Sequence, residues 1–385
     1  MNNIRDFGAA GDGKTLDTAA IQAAIDAGGT VYVPEGIYRT GTLYLRSNGG
    51  LHLAPGAVLL ASHDRADYNA DDFCIQNRVF SSEHVTGAHL IVAVECENVF
   101  IEGHGTIDGE GHFWMNEDDM YEWRGISYYT PHDERPAQMI FFCECENIHV
   151  SGVSIVNSPY WHLFFHGCED VFVRGVRIKG DRPRWTNDGI DIDCCRRVTV
   201  SDCIIDVGDD AVAIRAFDEP LKVRRATEKV VISNCVLHSA NDYGIRIGVG
   251  AGVIRDCVLT GLDIEAPDCA GIGVMGMWSE RTRMATSVEG ILGTNLSIRA
   301  AKPFEIFAAP ENVNFPNDFH IDNLRFDNLI LYPKEASTIL GRKDKPLTNI
   351  SISGVTVKYD GGFVGEAFRV ENAVNCEVEG VKESV

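Results

Sequence analysis

The chain has 385 residues, of which 45% are hydrophobic and 23% are charged, and its formal net charge is −22. This composition is typical of an ordered protein, and the negative charge argues against nucleic acid or an anionic membrane surface as a partner, because both attract basic surfaces. No apolar run approaches the roughly 18 residues needed to span a bilayer.

A short helix is the first clear element in the sequence. The stretch 17–29 opens with Asp17, which suits an N-cap, and closes at two glycines. A strand and turn follow over 29–38, so we expect the helix to cover the N-terminal end of the strands behind it. The first seven residues lack the basic and apolar segments of a signal peptide, so the expected location is cytoplasmic, or secreted if a leader has been removed.

From residue 96 onward the chain repeats a short unit. Each copy reads as a turn, then a strand with alternating apolar residues, then Gly, Asp or Asn, which suit a corner with positive φ. The steps between 145, 168 and 195 are 23 and 27 residues, whereas the 49-residue step from 96 to 145 is two turns or one turn with a long excursion. The copies are 96–103, 145–152, 168–175 and 195–202, with weaker echoes at 229–234, 349–354 and 375–380.

These units are too short to contain the crossover helix that parallel strands otherwise require. We therefore predict an all-β, single-domain, right-handed parallel β-helix over 1–385, with the N-terminal cap and first coils in 1–60. The length would ordinarily suggest about two or three domains, but a solenoid grows along its axis. A leucine-rich-repeat horseshoe is the competing solenoid, and its Leu-rich, Asn-laddered consensus is missing.

Twelve cysteines would allow a disulfide framework. Most of them occupy one position of the repeat, where a small apolar side chain is needed, and the expected location is reducing. We therefore expect buried free thiols that stack as an interior ladder, with disulfides as the alternative.

One segment interrupts the repeat. Residues 110–135 are rich in aromatic and acidic side chains and do not follow the strand pattern. Long irregular inserts in solenoids commonly border a binding site. We expect an inserted loop here, on the side of the substrate cleft.

Two acidic clusters fall in consecutive repeats. The first contains Asn187, Asp188 and Asp191, and the second contains Asp209 and Asp210. Asp188 and Asp209 are 21 residues apart, about one coil, which places them on one face about 4.8 Å apart at the backbone. Carboxyl groups this close raise at least one pKa, and glycoside hydrolysis needs such a split between acid and base. Aspartate is also common in turns, so each cluster alone is ambiguous.

The order of these clusters is similar to that of a known family. Asn187-Asp188-Gly189-Ile190-Asp191, followed one coil later by Gly208-Asp209-Asp210, resembles the Asn-Thr-Asp-Gly-x-Asp and Gly-Asp-Asp motifs of glycoside hydrolase family 28, the polygalacturonases and rhamnogalacturonases. The resemblance implies a pectin-lyase-like β-helix and an inverting mechanism, in which Asp209 protonates the leaving oxygen while Asp188 and Asp210 activate water. Further matching segments are 7–22, 103–111, 135–136 and 157–161.

Two departures from that family's pattern concern the substrate. Tyr243 stands where the family has the histidine of Gly-His-Gly, and a tyrosine hydroxyl can hydrogen-bond an acid but stays neutral. The segment from Gly271 to Trp278, which has no basic residue, stands where the family's Arg-Ile-Lys grips a galacturonate carboxylate, and the string 177–179 lies on the wrong repeat. We therefore expect a neutral or only partly anionic sugar at the cleavage subsites.

Several residues are candidate substrate contacts. Alternation leaves two placements open for Arg246, one facing the substrate and one in an exterior ion pair. Arg281 and Arg283 could supply a clamp from a loop, and flat indole rings suit sugar faces, although a structural role is equally open for Trp161. The predicted contacts are Asn187, Asp191, Tyr243, Arg246, Trp185 and Arg281.

The sequence therefore favours a polygalacturonase-like glycoside hydrolase that acts on an oligosaccharide or polysaccharide. A transglycosylase, a fructotransferase or a lyase on the same fold is the first alternative, and a non-catalytic glycan-binding protein is the second. Retention of all three central aspartates argues against the second, because like charges held together serve no purpose in a decayed site. No metal-ligand spacing is present, and no cofactor is expected. The sugar, the endo or exo mode and the oligomeric state stay open.

Overall fold

The computed structural model describes residues 1–79, 83–123, 125–182, 186–277, 284–310, 313–314, 318–359, 363 and 365–384. These residues fall into two compact units, Met1–Ile190 with Pro220–Lys222 and Asp191–Glu219 with Val223–Val385. None of the helices within the described ranges is long and apolar enough to cross a membrane. The organisation of 1–385 as one domain stays a prediction.

Apart from one antiparallel hairpin, the described strands of the first unit are short and parallel and lie on three ladders. One interior row is Val31, Leu51, Ile101, Val150 and Val173, in which each residue pairs in register with the next. All five are at most 1% exposed, so the row buries the apolar stack that the repeat predicts.

The strands of the first unit are Asn2–Asn3, Asp12–Leu16, Thr30–Val33, Gly36–Thr40, Leu43–Tyr44, Gly49–Leu53, Ala57–Ala61, Ile91–Val94, Glu97–Gly103, Thr106–Asp108, Met115–Trp123, Ile126–Pro131, Ile140–Cys143, Glu146–Ser151, Ser154–Val156, Leu163–His166, Glu169–Arg174 and Arg177–Lys179. The strand Ile190–Asp193 begins at Ile190, where the range Met1–Ile190 ends. Its helices are the α-helix Thr18–Asp26 and the 3-10 helices Ile4–Phe7, Arg65–Asp67 and Gly111–Trp114.

The predicted N-terminal helix is present over Thr18–Asp26, and Asp17 is its N-cap residue. The Asp17 carboxylate does not bond the helix, however. It accepts hydrogen bonds from the backbone N–H groups of Ala10 and Gly11, at 2.7 and 3.0 Å, and so holds the preceding loop. Ile21 and Ile25 on one face of the helix are buried, which is the packing expected of a cap.

The long step in the repeat is one turn with an excursion, because Glu97 pairs directly with Glu146. Within this excursion Met115–Trp123 and Ile126–Pro131 form an antiparallel hairpin. The expectation of an irregular loop over 110–135 is therefore wrong for these residues. Their tyrosines and tryptophan favour strands, and Gly125 between them has φ of 77°. The position of the hairpin relative to a substrate stays a prediction.

The second unit continues the parallel pattern with longer strands. Val253–Met275 and Ser287–Phe307 run through successive ladders, and they pair from Val253↔Ser287 to Met275↔Phe307 with a register shift between Ala266 and Ala270. Its strands are Arg196–Ser201, Ile204–Val207, Val212–Ala216, Thr227–Ser233, Val236–Ser239, Ile245–Gly250, Val253–Met275, Ser287–Phe307, Ile321–Pro333, Ser337–Leu340, Leu347–Lys358, Phe368–Glu371, Ala373–Val378 and Lys382–Ser384, together with most of Ile190–Asp193.

Two predictions about the repeat are confirmed. The strand ends have positive φ, as at Gly152 with 72°, Asp202 with 57° and Asn234 with 54°. All twelve cysteines lie among the described residues as free thiols, and nine of them are buried. The Cys96 N–H lies 3.4 Å from the Cys145 Sγ on the next turn, as an interior ladder requires.

Candidate active site

Asp209 and Asp210 lie in the turn between the strands Ile204–Val207 and Val212–Ala216. Both are buried, with Asp209 7% exposed and Asp210 1% exposed. The Asp210 N–H donates to the Asp209 Oδ1 at 3.0 Å, which fixes the two carboxyl groups relative to each other. The structure thus holds two of the predicted catalytic residues side by side.

Each oxygen of the Asp210 carboxylate accepts a hydrogen bond from the next turn of the chain. The Tyr243 backbone N–H donates to Oδ1 at 3.2 Å, and the Arg246 Nη1 donates to Oδ2 at 3.3 Å. Such donors favour the ionised form of a carboxyl group. The Arg246 guanidinium also lies 5.6 Å from the centroid of the Tyr243 ring.

Arg246 is therefore not an exterior ion-pairing residue. Ile245 and Ile247 on the same strand point into the core and are fully buried, which places Arg246 on the opposite face. Its side chain is only 14% exposed and reaches Asp210. Of the two placements that the sequence leaves open, the structure shows the one directed at the acidic cluster.

Tyr243 does hydrogen-bond an acid, but through its hydroxyl that acid is Glu305. The hydroxyl donates to the Glu305 Oε2 at 2.7 Å, and the side chain is 3% exposed. Its ring covers Gly273, where an added Cβ would lie 2.6 Å from two ring carbons. The Tyr243 ring thus fills the space that a side chain at position 273 would occupy.

Burial and neighbouring charges separate the two carboxyl groups electrostatically. Burial raises the pKa of Asp209 well above its usual range, and the adjacent Asp210 and Asp242 raise it further. Burial also raises the pKa of Asp210, to about 6, but the Arg246 guanidinium opposes this increase. Burial and the neighbouring acids thus favour the protonated form of Asp209, whereas Arg246 favours the ionised form of Asp210.

The Arg246 guanidinium keeps its charge. Burial lowers its pKa, but the surrounding Asp210, Asp242, Tyr243 and Asp209 outweigh that effect and raise the pKa overall. A permanent cation therefore stands among buried acids, which is the arrangement that makes a close carboxyl pair tolerable.

Asp191 lies on the strand Ile190–Asp193 and is fully buried. Its Oδ1 accepts from the Arg215 Nη1 at 3.4 Å, and its neighbour Asp193 accepts from the Phe217 N–H at 2.6 Å. Burial raises the pKa of Asp191 to about 8, with Arg215 opposing. In this arrangement Asp191 contacts protein groups, and the predicted contact with substrate stays a prediction.

Asn187 and Asp188 lie near the end of the first unit, and both are buried. The His162 backbone N–H donates to the Asp188 carbonyl oxygen at 2.9 Å, and the His162 Nδ1 lies 2.9 Å from the same oxygen. Asn187 donates to the Asp181 carbonyl at 2.8 Å. These bonds fix the backbone that carries the Asp188 side chain. The predicted one-coil spacing between Asp188 and Asp209 stays a prediction.

The remaining candidates divide into two groups. Trp185, Arg281 and Arg283 lie outside the described residues. Trp161 is 5% exposed and stacks on Tyr160 with 4.9 Å between ring centroids, which is a packing role rather than a sugar platform.

Sequence reasoning missed Glu305 and Lys302. The Lys302 Nζ donates to the Glu305 Oε1 at 3.1 Å, so both residues belong to the group around Tyr243. A signal was available, because Phe304-Glu305-Ile306 repeats the apolar-charged-apolar pattern of Ile245-Arg246-Ile247.

Comparisons with known proteins agree with this geometry. The family described as "Glycosyl hydrolases family 28" matches residues 73–264, and "Rhamnogalacturonase A/epimerase, pectate lyase-like" matches 1–51. A probable polygalacturonase of Vitis vinifera is 28% identical over 92% of this chain and 74% of its own length. The exo-poly-alpha-D-galacturonosidase of Dickeya chrysanthemi is 27% identical over 66% of this chain, which spans 48% of that protein.

Solved structures show the same architecture. A hyperthermoactive exopolygalacturonase from Thermotoga maritima has a TM-score of 0.73 and 23% identity, with 99% of this chain and 91% of that chain covered. The polygalacturonase from Erwinia carotovora has a TM-score of 0.68 and 21% identity, with 96% and 94% covered. The predicted right-handed parallel β-helix is thereby confirmed. The chain belongs to glycoside hydrolase family 28, and it is a glycoside hydrolase.

Proposed function

We propose that the protein hydrolyses an O-glycosidic bond in a pectin-type oligosaccharide with inversion at the anomeric carbon. Asp209 acts as the general acid that protonates the leaving oxygen, and Asp188 and Asp210 activate the attacking water. The observation that carries this proposal is the Asp209–Asp210 pair, in which Arg246 contacts Asp210 at 3.3 Å. This contact supports an ionised base beside a protonated acid.

The relatives named as polygalacturonases support a pectin-type substrate. The residues near the acid pair support a less acidic sugar than galacturonate at the cleavage subsites. Gly273 has no side chain to offer a carboxylate, and the guanidinium of Arg246 is already engaged by Asp210. Asn187, Trp185 and Arg281 stay predicted substrate contacts.

Replacement of the proposed acid tests the reaction directly. Asp209→Asn should lower kcat by about 10²- to 10⁴-fold, because an amide cannot donate the proton that the leaving oxygen needs. Release of reducing ends from pectin-derived oligosaccharides measures this loss. Asp206→Asn is the matched control, because Asp206 precedes the same turn and is half-exposed, in an ion pair with His238 at 2.7 Å.

Retained turnover by Asp209→Asn would contradict the proposed role of Asp209. The stereochemistry is tested separately by NMR of the first-formed anomer, which should have the configuration opposite to that of the cleaved bond. An unsaturated or anhydro product would instead indicate a lyase or an intramolecular transfer.

A further inference from the structure

A second polar group lies on the same row of residues as Arg246. Arg246 is in register with Gly273, and Gly273 with Glu305 on the following strand. Two strand spacings separate Arg246 from Glu305, which is roughly 10 Å along the row. Phe304 and Ile306 on either side of Glu305 are buried in the core, so Glu305 points to the opposite face, as Arg246 does.

Glu305 is held from two sides and is still partly open. The Tyr243 hydroxyl donates to Oε2 at 2.7 Å, and the Lys302 ammonium donates to Oε1 at 3.1 Å. Each carboxylate oxygen keeps a further lone pair for another donor. The Lys302 and Glu305 side chains are 31% and 24% exposed, so a ligand can reach both of them.

Tyr243 connects this pair with the acid pair. Its backbone N–H contacts Asp210, its ring covers the Gly273 position, and its hydroxyl contacts Glu305. The row therefore holds, in order, an acid pair, a buried tyrosine and a partly exposed carboxylate with an ammonium. Accessible hydrogen-bond donors and acceptors close to the acid pair suit the hydroxyl groups of a sugar.

We infer that Glu305 and Lys302 form a sugar-binding subsite next to the acid pair, which takes the hydroxyl groups of a neutral sugar residue and disfavours a uronate. A hydroxyl group can donate to Glu305 and accept from Lys302 without disturbing their ion pair. A uronate carboxylate would have to lie beside the Glu305 carboxylate and compete with it for Lys302. The inference rests on the proposed function and names the sugar class that the site selects.

Binding to a protein without turnover tests the subsite. The background is Asp209→Asn, and the probes are two hexasaccharides of equal length, one of alternating rhamnose and galacturonate and one of galacturonate alone. Isothermal titration calorimetry gives Kd for each probe, with and without Glu305→Gln. Glu305→Gln should weaken binding of the alternating probe by about tenfold, because a charged hydrogen-bond acceptor is lost. It should leave the galacturonate probe unchanged or bound more tightly.

Two further variants make the outcomes decisive. Glu289→Gln is the matched control, because Glu289 lies on the same strand but pairs with His320 on another ladder, and it should change neither Kd. Lys302→Met should also weaken the alternating probe. Thermal unfolding of each variant checks that it is folded.

The inference would be overturned if Glu305→Gln gave the same Kd values as Glu289→Gln. It would also be overturned if Lys302→Met weakened binding of the galacturonate probe selectively, because Lys302 would then be a carboxylate clamp. Failure of both probes to bind the Asp209→Asn protein would instead contradict the proposed function itself.

Discussion

Two of the buried aspartate–arginine pairs in the described part of the second unit differ in the surroundings of the carboxyl group. Asp191 pairs with Arg215 at 3.4 Å and Asp210 pairs with Arg246 at 3.3 Å, and both arginine side chains are 14% exposed. Asp210 receives a donor on each oxygen, from Arg246 and from the Tyr243 N–H. The Asp191 Oδ2 meets no donor among the described residues.

The two carboxyl groups also differ in their charge. Burial raises both pKa values, but that of Asp191 rises to about 8 and that of Asp210 only to about 6. At neutral pH the first carboxyl group is therefore mainly protonated and the second mainly ionised. Arg246 lowers the Asp210 pKa most and the Tyr243 N–H lowers it further, whereas the neighbouring Asp210 and Asp193 raise the pKa of Asp191.

Among changes that test the contrast between the two pairs, removal of the cation beside Asp210 should have the largest effect. Arg246→Gln should lower kcat by roughly 10²-fold, because Asp210 loses the group that holds it ionised and oriented. The sign follows from the charge: without the guanidinium, the Asp210 pKa rises above about 6, so the ascending limb of the kcat–pH profile moves to higher pH. The measurement is the pH profile of hydrolysis.

Arg246→Lys is the informative companion to this variant. Lysine keeps the charge but not the planar fork, so it should restore part of kcat and return the limb toward lower pH. Arg215→Gln is the matched comparison, because Arg215 lowers the Asp210 pKa less than Arg246 does, so the limb should move less than in Arg246→Gln. An unshifted limb in Arg246→Gln would mean that Arg246 only fills space.

Much of the fold could be predicted from the sequence because the repeat is local. Each repeat has its own alternation of apolar residues and its own corner residue. Cys145, Val150 and Gly152 therefore predict the same strand that the structure shows. The hairpin 115–131 could not be predicted in this way, since its strands pair with each other and leave the repeat.

The acid pair was predictable for the same reason, because Asp209 and Asp210 are adjacent in sequence and follow a strand. Their partners were harder to predict. The contact of Tyr243 with Glu305 spans 62 residues, and it depends on the empty Gly273 position between them. Spacing along the chain predicts the coil on which a residue lies. It does not predict which side chain fills the space beside a glycine on the neighbouring coil.

The Asp191–Arg215 pair makes its own prediction about stability. The native pKa of Asp191, about 8, is above its ordinary value of 3.8, so the folded protein binds more protons between these limits. This contribution to stability is full below about pH 4 and is lost as pH rises toward 8, with a slope of up to about 1.4 kcal/mol per pH unit. Asp191→Asn cannot titrate, so its free energy of unfolding should depend less on pH in this window.

Urea unfolding at several pH values between these limits measures the slope. Asp206→Asn serves as the control, because Asp206 is half-exposed. An Asp191→Asn protein with the wild-type slope would show that Asp191 is ionised in the native state, and the contrast with Asp210 would then disappear.

The smallest effect concerns the hydroxyl group that links the acid pair to Glu305. Tyr243→Phe removes the 2.7 Å bond to Glu305 but keeps the ring over Gly273 and the backbone N–H to Asp210. The free energy of unfolding should fall by about 1–2 kcal/mol, and kcat should change by less than about tenfold, because the hydrogen bond to Asp210 remains.

A double-mutant cycle of Tyr243→Phe with Glu305→Gln should show coupling, whereas the cycle with Glu289→Gln should show none. If Tyr243→Phe instead lost as much activity as Arg246→Gln, the hydroxyl group would have to act on the catalytic aspartates. Arg246 would then not be distinct from Tyr243 in controlling the charge of Asp210, and Tyr243 would do more than connect the acid pair with Glu305.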